Sequence, residues 1–174
     1  MSFTQLLRRV FLHGVGLAFG TIGFALIAAF TTLYYAHQAW DHPSYALILF
    51  GSSFVLARLL FNGSITRWGG LMVAAVSLAI ESTGLAILWL APTPDLALLG
   101  AALSGAGFAL VFPALGVEAV RTVRPQDRGS ALGVYTAFLD LAMGITGPTA
   151  GYVIGIFGYS AIFLLGSVTA ICGL

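Results

Sequence analysis

The sequence predicts an all-α membrane protein with six transmembrane helices, and three observations carry that prediction. The first is composition: 59% of the residues are hydrophobic, 7% are charged, and mean hydropathy is +1.01. A soluble domain carries about 25% charge, and a water-facing surface made from so few charges would be covered in large apolar patches. The second is a series of apolar runs near the ~20 residues that cross a hydrocarbon core as a helix. The third is that arginine occurs only in alternate connecting segments, the bias that sets orientation in a bilayer.

Taken in order, the runs are 11–36, 43–61, 71–90, 96–117, 130–156 and 160–174. They are separated where charge, proline and glycine cluster. The first follows Arg8 and Arg9 and exceeds the 7–15-residue apolar core of a signal peptide, so it reads as a retained span. A segment holding Asp41 and no arginine leads to the second run, which has Arg58 one turn from its end. Arg67 lies between the second and third runs. Pro92, Pro94 and Asp95 lie between the third and fourth, again without arginine. Arg121, Arg124 and Arg128 precede the fifth, and Gly158 marks the uncharged turn to the sixth. The sixth stops at Leu174 without a polar tail and is expected to be truncated. This alternation places both ends in the cytoplasm. The period-two pattern of a β-barrel strand is absent from 71–79 and 161–170.

Several function classes fall away. Net charge is +1, and the arginines form no dense stripe of the kind that a phosphate backbone attracts, so nucleic acid is not an expected partner. One cysteine, Cys172, allows no internal disulfide and no cysteine metal site. There is no H-E-x-x-H and no Walker loop, so neither a metal nor a cofactor is expected. Ser104 beside Gly105 raises an intramembrane protease, but a serine nucleophile needs an adjacent base. His13, the one histidine inside a run, would have to reach it.

Glycine is frequent inside the runs, with Gly16-Gly20, Gly147-Gly151 and Gly151-Gly155 at four-residue spacing. In water an interior glycine destabilises a helix by about 1 kcal/mol against alanine; in lipid the same spacing lets helix backbones approach closely.

Ionisable groups deep in a span mark function by default. Glu81 lies near the middle of the third run and Asp140 inside the fifth. Asp140 is ten residues beyond Ser130, about 15 Å along a helix, close to mid-depth in a ~30 Å core. Low dielectric disfavours an ionised carboxylate, so both acids are candidates for binding and releasing a proton during transport. Arg58 and Tyr135 are candidate polar groups of a cavity; a snorkelling arginine and an interhelical tyrosine are the structural alternatives. Tyr34, Tyr35 and Trp40 read as an interfacial aromatic belt. Pro113 removes a backbone donor and frees the Ala109 carbonyl, which makes it a candidate hinge. Gly147-Pro148 marks a second irregular helix and a second candidate hinge.

These residues resemble the major facilitator superfamily, specifically its C-terminal half, and within it a group of bacterial drug- and sugar-efflux-like carriers. The resemblance rests on four stretches: Ala28–Tyr35; the loop Phe61–Gly70; Gly105–Glu118 with Phe112-Pro113; and Arg128–Gly133 followed by Gly144, Gly147-Pro148 and Gly151. In the loop, Arg67 and Gly69 match the Arg and Gly of the family's Gly-x-x-x-Asp-Arg-x-Gly signature. Thr66 stands in place of its Asp and Asn62 in place of its first Gly. The family's charge lock through that Asp is therefore not expected here. The resemblance implies half of a twelve-span fold, built as two inverted three-helix repeats. It also implies a partner, the N-terminal six-helix half, with a small-molecule substrate bound between the two. In the family the first, second, fourth and fifth helices of each half face the cavity or the other half, which ranks Asp140 above Glu81.

The reading is therefore a secondary carrier of the bacterial inner membrane, working by alternating access, with proton-coupled efflux as its expected mode. The alternative is a non-transporting membrane fragment or helper that packs against another polytopic protein.

Overall fold

Runs of leucine, alanine, phenylalanine and glycine leave the backbone as the chief polar element, and a helix satisfies that backbone within its own segment. The computed structural model describes residues 3–121 and 123–174, and all regular structure among them is helical. The helices are α1 (Phe3–His37), α2 (Pro43–Phe61), α3 (Ser64–Trp68), α4 (Gly70–Leu90), α5 (Pro94–Phe108), α6 (Val111–Arg121), α7 (Arg128–Phe157) and α8 (Ala161–Cys172), with a 3₁₀ turn at Pro125–Asp127. Five stretches, Phe3–His37, Pro43–Phe61, Gly70–Leu90, Pro94–Arg121 and Pro125–Phe157, are long and apolar enough to cross a membrane; α8 is shorter.

Three features differ from the linear reading. Helix α1 begins at Phe3, so Arg8 and Arg9 ride on the helix rather than in a segment before it. The loop expected at 62–70 contains α3, closed by Gly69 at φ +84, a conformation that favours glycine. The run 96–117 is divided: α5 ends at Phe108 and α6 begins at Val111. Pro113 cannot donate to Ala109, and the break falls at Ala109-Leu110.

Helix α1 packs on α7, α8 and α6, α4 on α5, α8 and α6, and α2 chiefly on α5. Two buried apolar clusters fill the interior. One gathers Leu17, Leu78, Val111 and Tyr135; the other gathers Leu26, Tyr34, Leu85, Leu88 and Phe163. Glycine permits the tightest approaches. A Cβ on Gly107 of α5 would lie 2.7 Å from the Cα of Glu81 and would overlap its backbone nitrogen.

The bundle has two unlike ends. At one, Gln5, Arg8, Arg9 and Arg124 surround a basin of about 510 Å³, and the N–H of Gly70 donates to Glu118 Oε1 at 3.1 Å. At the other, the Tyr34 hydroxyl donates to the Leu88 carbonyl at 3.2 Å and that of Tyr35 to the Pro94 carbonyl at 3.3 Å. Both tyrosines are 1% exposed, and Trp40 packs edge-on against each. They are internal ties, not an outward belt, because adjacent helices offer carbonyls that a buried phenol needs.

Candidate functional site

The most secluded acidic side chain among the described residues is Glu81, on the fourth turn of α4 and 1% exposed. Its place is made by glycines on two neighbours. Gly20 and Gly23 of α1 form a notch over the carboxylate: a Cβ on Gly23 would lie 2.6 Å from Oε1, and one on Gly20 3.3 Å from Oε2. From behind, Gly107 lets α5 press on the Glu81 backbone. Neither carboxylate oxygen has a hydrogen-bond partner among the described residues. No cation is paired with it among the described residues, and burying a carboxylate without a partner is costly.

Asp140 is placed differently. It lies on the exposed side of α7, a helix only 22% buried along its apolar window. Helices α4 and α7 are not a packed pair, so the structure does not bring the two carboxylates together. Arg58 is exposed on α2, its guanidinium 6.0 Å from the Phe54 ring centroid. Tyr135 is fully buried, and its hydroxyl donates to the Phe112 carbonyl at 2.9 Å. That bond joins α7 to α6 beside Pro113. Gly147 and Pro148 lie in an uninterrupted α7, flanked by hydroxyl bonds from Thr146 to Ala142 O and from Thr149 to Ile145 O.

At the arginine-bearing end, Arg67 sits on α3 with its guanidinium 5.8 Å from the Trp68 ring. Gly69 turns the chain into α4. Thr66, where the family signature has Asp, bonds back to Gly63 O at 2.8 Å. The bridge to a neighbouring helix is made instead by Glu118, which accepts from Gly70 N and lies 3.5 Å from Arg121. Sequence reasoning passed over Glu118. Its signal was a lone acid in an arginine-rich segment, opposite a Gly-Gly helix start whose free N–H groups attract a carboxylate. Also missed was a buried pair across α4 and α8, Ser82 and Ser167, whose hydroxyls lie 2.9 Å apart and each bond the other's carbonyl. Ser104 donates to Gly100 O and His13 Nδ1 is buried without a partner among the described residues; they do not form a serine–histidine pair.

An arginine-bearing end, long apolar helices joined through glycine contacts and a proline-broken helix together describe a polytopic bundle, and the family comparison decides which. Residues 9–174 match the Major Facilitator Superfamily. The chain belongs to that superfamily. It is 56% identical over 173 residues to MFS-type transporters of Burkholderia mallei (strain SAVP1) and Burkholderia pseudomallei (strain K96243), covering 99% of this chain and 42% of each relative. It is 51% identical over 174 residues to an MFS-type transporter of Pseudomonas aeruginosa (strain UCBPP-PA14), covering all of this chain and 43% of that protein. The chain thus spans less than half the length of the curated relatives it matches. No solved structure matches it. As a member of the superfamily it is an integral membrane protein of a transporter family.

Proposed function

We propose that this chain forms the C-terminal half of a secondary carrier that moves a small solute by alternating access, with proton-coupled efflux as its mode. The observation that carries the proposal is the match to superfamily transporters over residues 9–174, at less than half of their length. On this reading the chain is one six-span domain made of two inverted three-helix repeats. It lies in the bacterial inner membrane with both ends in the cytoplasm, and an N-terminal six-helix half completes it.

Asp140 is the coupling residue we favour. A group that loads and unloads a proton must meet water from each side in turn, and Asp140 already lies on an open face of α7. Glu81 is the second choice: its unpartnered carboxyl can hold a proton, but only movement of α1 away from α4 would let water reach it. Tyr135 and Arg58 are polar groups at the cavity margin. Pro113, with the Gly147-Pro148 step, is where the helices comply.

The test is transport by this chain joined to the N-terminal half of the Pseudomonas aeruginosa relative, in cells lacking their own efflux pumps. With a panel of toxic drugs and sugars as probes, Asp140→Asn is expected to lower pH-driven efflux at least ~10-fold, as loss of an intramembrane proton carrier implies. Unchanged pH-driven efflux removes Asp140 from the mechanism. The helper reading draws on the same open α7 face; it predicts a stable complex with another polytopic protein and no efflux from the joined protein.

A further inference from the structure

A groove of about 640 Å³ runs down the outside of the bundle between α2 and α4, with the α5–α6 junction as its floor. Phe61 from α2, Trp68 from α3, Met72 and Val76 from α4, and Ala106 and Leu110 in the floor form its wall. Polar lining is limited to two serines, Ser64 and Ser77, and the Ser64 hydroxyl is already bonded to Phe61 O at 2.6 Å. Such a wall suits a hydrocarbon chain and offers a polar substrate little.

The rim is different. Trp68 is 61% exposed at the groove's arginine-bearing end, and the Arg67 guanidinium lies 5.8 Å from its ring. Tryptophan with arginine at an end of a membrane bundle is the pairing found at headgroup depth. Of the acids at this end, Glu118 is occupied by Gly70 N and Arg121 and Asp127 lies in the 3₁₀ turn that leads into α7, while Asp41 and Asp95 lie at the opposite end. The rim is therefore positive, beneath it is a dry slot, and the surrounding medium is lipid. We propose that this groove is a binding site for an anionic glycerophospholipid, with one acyl chain between α2 and α4 and the phosphate against Arg67 and the Trp68 N–H. The site lies on a different face from α7 and does not depend on the transport reading.

The experiment uses the intact chain with Trp40→Phe and Trp89→Phe, which leaves Trp68 as the sole tryptophan. It is reconstituted in vesicles in which phospholipids brominated on the acyl chain quench tryptophan on contact. Brominated phosphatidylglycerol should reach half-maximal quenching at about fivefold lower mole fraction than brominated phosphatidylcholine, the preference expected from one arginine at an anionic headgroup. Arg67→Gln should erase that preference and Arg67→Lys should keep most of it. Ala106→Phe, which fills the floor, should weaken quenching by both lipids. Equal quenching by the two lipids, or a preference that survives Arg67→Gln, overturns the proposal. So does the absence of quenching by either lipid, which would mean that polypeptide covers the groove. Arg67 is exposed, so its variants test the rim without disturbing the core.

Discussion

Helices α1 and α7 are both glycine-rich, yet their glycines meet opposite surroundings. On α1, a Cβ added at Gly14 would strike the Phe138 ring, at Gly20 it would lie 2.9 Å from Leu78 Cδ2, and at Gly23 2.6 Å from Glu81 Oε1. On α7, Gly133, Gly144, Gly147, Gly151 and Gly155 have nothing within 4 Å of that position. The apolar window of α1 is 56% buried and that of α7 is 22% buried. The same sequence signal has thus been used inside the chain on one helix and left open on the other. Small residues let membrane helices approach closely; the open set on α7 makes no such approach among the described residues, and on the proposed reading the N-terminal half packs there.

Substitutions by alanine sharpen the contrast, measured by denaturant-titrated unfolding in detergent micelles. Gly107→Ala should have the largest effect, about 3 kcal/mol of lost stability. Its methyl would overlap the Glu81 backbone, and overpacking that the backbone cannot relieve lies at the upper end of the usual range. Gly16→Ala should cost about 1 kcal/mol, because its nearest neighbour is the mobile end of Leu115 at 3.2 Å. Gly151→Ala should change stability by less than about 0.5 kcal/mol, since it meets nothing. A loss at Gly151 equal to that at Gly107 would break the distinction between a filled and an open glycine face.

Much of the architecture was legible because lipid constrains it so strongly. Composition and apolar run length are enough to specify helices that cross a membrane, and Pro113 announced a break four residues before itself. What was hidden depended on neighbours. Five residues between Gly63 and Gly69 carry no periodicity long enough to reveal α3. Tyr34 and Tyr35 sit at a helix end beside Trp40, as interfacial aromatics do, and only the carbonyls of Leu88 and Pro94 turn them inward. The depth of Glu81 along its helix could be counted, but its seclusion is created by Gly20, Gly23 and Gly107 on two other helices. The exposure of Asp140 followed from which face of α7 lacks partners, a fact of packing and not of spacing.

The unequal fastening of the two ends has a mechanical consequence. The phenols of Tyr34 and Tyr35 are shut away from solvent, and withdrawing either from its carbonyl would strand a donor in a dry interior. The Glu118 carboxylate, 12% exposed, can trade Gly70 for water at little net change in free energy. The bundle is accordingly fastened unequally: by phenols sealed in a dry interior at one end, and at the other by a carboxylate contact that water can replace.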